Sequence, residues 1–482
     1  MSNINDLKPK LLWKHFDEIR KIPHCSKHEE KIRDYIINFT ENQKLKYKQD
    51  KTGNIVIYKT ANPGFEKNPT IILQGHMDMV CEKNSDIKHD FLKDPIKLKI
   101  NNDVLTADGT TLGADNGIGV ATSLAILEDN TLKLGAIEAL FTVDEETGLT
   151  GAFALENNML TGKKMLNLDS EDFGVITVGC AGGGDSQVKL EIKTKNVSDN
   201  LENLLIKIYG LRGGHSGVDA REQRGNAIKI LARLLWNISN QYKIFLSDIK
   251  GGDKHNAIPR EAHAKISVPK KDKEEIIKDL RSFEKNILEE IRPIDPNMKV
   301  SIESIEKTKI ILDEKSTESI INLLHSLPHG VEKMSYDIKG LVETSTNLAT
   351  VSIKNNSALI GLSSRSSIAS ALQDLRDRIH AISSLAGAKV TEGESYPGWK
   401  PNLNSDLLKL SKKIFKDMYK KEAVVEAIHA GLECGIIGEK FSGMDMISVG
   451  PTIKYPHSPE EQVHISTVDK FYQYVLEIIR KI

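Results

Sequence analysis

An α/β fold with a mainly parallel, mixed sheet flanked by helices is what this sequence predicts, interrupted by an inserted α+β domain. Three observations carry that expectation. Largely apolar strand-like runs (70–74, 136–143, 164–168) alternate with stretches of helical periodicity, the pattern of a parallel sheet covered on both faces. Several of those runs end in His or carboxylate residues, at the edge where α/β sheets collect ligands. From about 185 to 387 the chain turns richer in Lys, Ile and Ser, and α/β character resumes after it. The division that follows is 1–184 with 388–482 for one discontinuous domain and 185–387 for the insert.

Bulk properties set limits on function. A chain of 482 residues exceeds one ordinary core, so more than one domain is required. Its 66 basic and 67 acidic residues balance, which removes any broad attraction for nucleic acid or an anionic membrane surface. The N-terminal residues lack an apolar signal region, and no run is long enough to span a bilayer. Cys25, Cys81, Cys180 and Cys434 lie far apart without a CxxC pair, which argues against a disulfide framework or thiolate zinc site and for a reduced cytoplasm.

The elements follow in order. Apolar spacing predicts a helix over 11–22, and Ser26 with Glu29 forms a capping-box pattern ahead of a second helix through Ile32, Ile36 and Phe39. Strands are read at 54–58 and 70–74. The second runs into His76-Met77-Asp78, whose i and i+2 side chains share a face of an extended segment. The imidazole could bind a metal while the carboxylate fixes its tautomer, or the pair could be a hydrogen-bonded histidine at a strand end. Next comes Asp108-Gly109-Thr110-Thr111-Leu112-Gly113-Ala114-Asp115-Asn116-Gly117-Ile118-Gly119-Val120-Ala121, a glycine-rich turn into a buried helix with one carboxylate, Asp115, at the junction. A plain capping Asp fits that stretch too. The strand 136–143 ends in Asp144-Glu145-Glu146-Thr147-Gly148, and 164–168 ends in Asp169-Ser170-Glu171-Asp172. Each acid alone reads as a solvated turn; all of them on one edge do not.

The insert carries Arg212-Gly213-Gly214-His215-Ser216-Gly217, a glycine-rich loop whose histidine also reads as a turn residue, then His255-Asn256 and Ser363-Ser364-Arg365. Two similar halves are suggested, each with a strand, a helix of the type 224–236 or 368–382, and further strands. After the rigid joint 395–401, the chain gives a helix (407–418), a strand (423–427), His429-Ala430-Gly431-Leu432-Glu433-Cys434-Gly435 and an apolar strand (446–450). Pro456-His457-Ser458-Pro459-Glu460-Glu461 then reads as a capped short helix, with Glu461 completing the box, and an amphipathic helix (467–479) ends the chain.

His76, Asp115, Glu146, Asp169 and His457 make a thiolate-free set of two imidazoles and three carboxylates. It suits Zn²⁺, Mn²⁺ or Co²⁺ with open positions, and one carboxylate can bridge two ions. The motifs around these residues, with 213–217 and 429–435, occur together and in an order that resembles the M20 metallopeptidases over essentially the whole chain, in particular their aminoacyl-histidine dipeptidase branch.

The resemblance implies a catalytic domain of the zinc-exopeptidase type and an inserted lid that commonly mediates homodimers. It implies two divalent ions, zinc foremost with cobalt or manganese as substitutes. His76 and Asp169 would hold one, Glu146 and His457 the other, with Asp115 bridging through a cis Asp115–Asn116 peptide. Glu145 would be the general base for a metal-activated water, Asp78 would orient His76, His215 would stabilise the oxyanion, and Asn256 and Arg365 would contact the substrate. The activity implied is hydrolysis of Xaa-His and related dipeptides such as β-Ala-His. The residues agree: adjacent Glu145 and Glu146 point apart, so one can bind metal while the other moves a proton, and the Arg365 fork matches a peptide carboxylate. An M20 tripeptidase or aminoacylase-like amidohydrolase would differ only in pocket residues. A non-catalytic metal- or peptide-binding relative would have lost the base or the bridge, and Glu145 and Asp115 are both present.

Overall fold

A computed structural model describes residues 4–482. The chain forms two compact units. The first runs to Gly179 and takes in Trp399–Ala427 and Leu432–Ile482; the second is Cys180–Gly398 with Ile428–Gly431. The second unit is longer than the composition shift suggests. Its strands Gly182–Glu191 and Lys389–Tyr396 pair antiparallel, so both boundaries lie outside 185–387.

The first unit is built on an eight-stranded sheet in the order Lys46–Gln49, Ile55–Lys59, Ile137–Thr142, Ile71–His76, Lys164–Asn167, Asp445–Ser448, Val175–Cys180, Val424–Ile428. Its central four strands are mutually parallel, and Lys46–Gln49, Ile55–Lys59 and Val175–Cys180 join antiparallel. Every residue of Ile71–His76 and Ile137–Thr142 is buried, which is why these strands read as apolar runs without alternation. Helix Ala114–Glu128 is buried along nearly its whole length, and helix Lys10–Ile19 packs on it.

A four-stranded sheet in the same unit orders Ile453–Lys454, Gln462–His464, Val104–Ala107 and Leu98–Asn101. Its antiparallel register, Thr106 opposite Gln462, brings the loop after Ala107 and the turn before Gln462 to the same end. Residues 455–460 form turns there, with Glu460 N–H donating to Ser458 Oγ at 3.2 Å. The capped helix expected at 458–461 is absent because Glu461 turns to Leu112–Asp115 instead.

The second unit is a nine-stranded antiparallel sheet. Its order is Lys299–Ile305, Leu201–Tyr209, Ala262–Pro269, Phe245–Gly251, Val342–Lys354, Ser357–Ser366, Gly182–Glu191, Lys389–Tyr396, with Gly330–Met334 added beside Val342–Lys354. Read along the chain it is a duplication. Leu201–Tyr209, Ala227–Ser239, Phe245–Gly251, Ala262–Pro269, Lys273–Ile291 and Lys299–Ile305 make one strand–helix–strand–strand–helix–strand set. Gly182–Glu191, Glu314–Ser326, Val342–Lys354, Ser357–Ser366, Ala369–Leu385 and Lys389–Tyr396 make the other. The halves meet where Lys250 faces Ser352. The helix equivalent to Ala227–Ser239 is therefore Glu314–Ser326, not the 368–382 helix that the sequence pairs with it. One core joins both halves, from Leu204 and Leu231 to Leu324 and Ile360.

Two local expectations are corrected. Cys25 and Cys81 are joined in a disulfide, because residue 25 runs beside Met79; Cys180 and Cys434 are buried. Ser26 and Glu29 do not cap helix Glu30–Asn42: the Ser26 hydroxyl goes to Asp78, and the Glu29 carboxylate accepts from Lys27 and Asp144 N–H. Among the described residues no helix is long and apolar enough to cross a membrane.

Candidate metal centre

Three neighbouring parallel strands each deliver a ligand-type residue at or past their carboxyl ends. Ile71–His76 ends on His76, Ile137–Thr142 leads to Glu145 and Glu146, and Lys164–Asn167 leads to Asp169. Asp144, at φ +50°, turns the second strand sharply into helix Glu145–Gly148. Asp115 stands in the first turn of helix Ala114–Glu128, and its peptide to Asn116 is cis. Gly113, two residues before it, stands at φ +71°, a conformation that glycine takes without strain, and a Cβ there would lie 2.9 Å from Met79 Sδ. Asn116 Nδ2 donates to Leu168 O at 2.7 Å and ties this loop to the residue before Asp169. His457 comes from the turn at 455–460, itself at φ +60°.

These side chains converge. His76 Nε2 lies 3.2 Å from Asp115 Oδ1 and 3.3 Å from Asp169 Oδ1. His457 Nε2 lies 3.2 Å from Asp115 Oδ2 and 2.9 Å from Glu146 Oε2. Asp115 thus turns one oxygen to each imidazole, and each imidazole has a second carboxylate of its own. Two ligand triads result, His76/Asp115/Asp169 and Asp115/Glu146/His457, and Glu145 falls within the same reach of His76 and Glu146. Glu146 Oε1 and Asp169 Oδ1 are buried without a hydrogen-bond partner; Asp169 Oδ1 is near His76 but out of line with it. Buried carboxylate oxygens left without partners are costly, and a divalent cation would satisfy them. The donor set, imidazole and carboxylate without thiolate, fits such a cation.

The electrostatics say the same. Burial pushes Glu145 well above the usual carboxylate range, with Asp169, Glu433 and Glu146 adding to it against His76. Burial also raises Asp169 to about 6, with Asp115 and Glu146 contributing. Asp115 goes the other way, because its bonds to His457 and His76 outweigh burial. His457 is raised to about 11 by its bonds to Asp115 and Glu146. The protein has gathered more negative charge here than its two imidazoles answer.

Asp78 is a brace. His76 Nδ1 is 3.0 Å from the Asp78 carbonyl oxygen and 3.4 Å from its Oδ1, so the backbone holds the ring more closely than the carboxylate expected to do so. The carboxylate accepts Glu145 N–H at 3.0 Å, Glu146 N–H at 3.2 Å and Ser26 Oγ–H at 2.7 Å. Burial raises Asp78, but these bonds and His76 bring it down to about 2. Ser26 is a site residue that the sequence hides, since S-x-x-E reads as a helix cap. Below the strand ends, Glu433 is buried and accepts from Gln74 Nε2 at 2.5 Å and Thr142 Oγ1 at 2.7 Å.

His215, Asn256 and Arg365 belong to the second unit. His215 Nδ1 accepts from Gly217 and Val218 N–H at 3.2 and 3.1 Å, which leaves the proton of a neutral ring on Nε2. Burial, then Arg365, holds its pKa below the usual histidine value. Arg365 is 8 % exposed. Its Nη1 donates to Tyr396 OH at 3.0 Å, and its Nε is buried without a partner. A Cβ on Gly217 would lie 3.2 Å from both Arg365 Nε and His215 Cε1, so that glycine lets the two approach. His429, which no sequence pattern singles out as a contact of this group, is buried with Nε2 2.7 Å from Ser345 Oγ and feels Arg365 and His215. Asn256 is exposed; its carbonyl accepts Ser216 N–H at 2.8 Å.

Known proteins share this arrangement of sequence. The model of peptidase family M20/M25/M40 matches residues 72–481. The cytosol non-specific dipeptidase of Escherichia coli (strain K12) is 40% identical over 483 residues, covering 100% of this chain and 99% of that protein. The crystal structure of aminoacylhistidine dipeptidase from Vibrio alginolyticus superimposes with a TM-score of 0.95 at 38% identity, covering 100% of this chain and 98% of that one. The aminopeptidase PepT of Bacillus cereus, at TM-score 0.56 and 17% identity over 98% of this chain and 99% of its own, shares the fold.

Proposed function

This chain belongs to peptidase family M20/M25/M40, and we propose that it is a two-metal dipeptidase hydrolysing Xaa-His and related dipeptides, β-Ala-His among them, with Glu145 as general base. The observation that carries this reading is Asp115, which offers one carboxylate oxygen to each of two imidazole–carboxylate pairs. His76 and Asp169 would hold one divalent ion and Glu146 with His457 the other, zinc foremost, with cobalt and manganese as substitutes. When bound, such ions supply Lewis acidity and lower the pKa of water.

The rest is the work of the chain. Glu145 takes the proton of the attacking water on its carboxylate and returns it to the leaving amine. Its raised proton affinity suits that exchange, and the Asp78 bond to its N–H fixes its turn. His215 presents Nε2–H as the oxyanion donor, and Arg365 and Asn256 are the substrate contacts. The unpartnered Arg365 Nε supports a carboxylate partner. A homodimer and a cytoplasmic location belong to the same reading, the latter from the name of the Escherichia coli relative.

The test is a panel of β-Ala-His, Gly-His, Leu-Leu, a tripeptide and an N-acetyl amino acid, assayed with Zn²⁺, Co²⁺ or Mn²⁺. Glu145→Ala is expected to keep its metal and lose about 10²–10⁴-fold in kcat. Equal rates for wild type and variant would remove the base, and cleavage of the tripeptide alone would move the substrate class.

A further inference from the structure

Glu461 lies four residues beyond His457 and is almost wholly buried, with 2% of its surface exposed. Its carboxylate faces no cation. It accepts four successive backbone N–H groups of the loop that carries Asp115: Leu112 at 2.7 Å and Gly113 at 3.0 Å on Oε2, Ala114 at 2.8 Å and Asp115 at 3.2 Å on Oε1. Amides so converged on one carboxylate form an anion nest, here filled by the chain's own side chain. The sheet register with Thr106 opposite Gln462 supplies the approach, so the two segments meet across more than three hundred residues of sequence.

We propose that Glu461 is a positioning residue for the shared ligand: it clamps the Leu112–Asp115 loop to the His457 turn, so that Asp115 and His457 are held in register before a metal binds. The inference rests on the reading of Asp115 as the bridging ligand. A flexible Asp115 loop would have to be ordered at the cost of metal affinity, and the clamp removes that cost. Glutamine cannot replace it, because a carboxamide has one acceptor oxygen and its NH₂ would face two of the four N–H donors.

A matched control exists in the same unit. Glu138 is also buried, and it accepts N–H bonds from Thr161 and Gly162 at 3.0 Å, in a loop that bears no ligand. Zn²⁺ would be titrated calorimetrically into metal-free wild type, Glu461→Gln and Glu138→Gln, with the Co²⁺ visible spectrum of each recorded. Glu461→Gln is expected to bind about 10–100-fold more weakly, with an altered Co²⁺ spectrum, while Glu138→Gln binds as wild type. Wild-type affinity in Glu461→Gln, or equal weakening in both variants, would overturn the proposal. If Glu461→Gln does not fold, hydrogen exchange on the metal-free wild type decides: protected amides at 112–115 sustain the clamp, and exchange at open-loop rates ends it. Fewer than two equivalents of Zn²⁺ in wild type would instead sink the two-metal reading.

Discussion

The two sides of Asp115 are built from different material. On one, His76 ends a fully buried central strand, its side chain 1% exposed and its Nδ1 held by the Asp78 backbone. On the other, His457 stands on a turn at positive φ with half its side chain exposed. Asp169 follows a buried strand by two residues, whereas Glu146 is the second residue of a four-residue helix. The same chemistry, one imidazole and one carboxylate, is thus mounted once with both side chains buried and once with a buried carboxylate beside a half-exposed imidazole. The lesson is that the two metal positions should differ in how tightly they hold an ion and in what their loss does to the fold.

The largest effect tests what the two sides share. Asp115→Asn removes the charge common to both triads. It should abolish binding of both ions and cost about a thousand-fold or more in dipeptide hydrolysis, roughly 4 kcal/mol of barrier. Metal analysis after gel filtration, with Gly-His turnover, measures both. Full metal content in this variant would remove the centre of the proposed function.

Splitting the two sides comes next. His76→Ala leaves Asp169 buried without its imidazole, while Asp115 keeps His457 and Asp78 keeps its N–H and hydroxyl donors, and uncompensated buried charge of this kind costs about 3–5 kcal/mol. Its melting temperature should fall well below wild type. His457→Ala should keep the fold and lose one ion while the His76 side retains the other. Native mass spectrometry and calorimetry of the two variants would show whether the sides differ; identical losses would mean that burial does not matter here.

That asymmetry was only half legible in the sequence. Strand-end residues were legible, because apolar runs of parallel-sheet type stop at His76 and shortly before Glu146 and Asp169, and chain order alone puts those ends on one edge. Residues acting across the chain were not. Ser26 and Glu29, like Ser458 and Glu461, match the capping box, and nothing local distinguishes a side chain that caps its own helix from one that reaches another segment. Arg365 sits in a serine-rich stretch, and its place between Ser345 and Gly183 comes from antiparallel strands distant in sequence. The pairing of Cys25 with Cys81 likewise depends on a contact that spacing does not encode.

A smaller effect uses pH. His457 in the metal-free protein is raised to about 11, so at neutral pH it carries a proton that a metal must displace. Zn²⁺ affinity on that side should rise with pH, by up to about tenfold per unit. The sign for stability is opposite. A histidine with raised folded pKa stabilises fully below its unfolded value of 6.5, and that contribution fades as pH climbs towards about 11. The melting temperature of metal-free wild type should therefore fall relative to His457→Ala across this window. A difference that is flat with pH would show that His457 does not hold its proton.

The smallest effect asks whether the two sides communicate. Asp78 touches His76 while also accepting the amides of Glu145 and Glu146, and Ser26 Oγ–H shares its Oδ2 with the Glu146 N–H. Ser26→Ala removes one of these bonds without leaving the carboxylate unsatisfied, a loss of about 1 kcal/mol. If the brace serves mainly the base-bearing turn, both ions stay bound and kcat falls about fivefold with KM unchanged. If it serves mainly His76, zinc affinity on the buried side falls instead and added metal restores kcat. Titration of activity with zinc separates these outcomes, and unchanged kinetics at every zinc level would show that backbone bonds alone hold Asp78 in place.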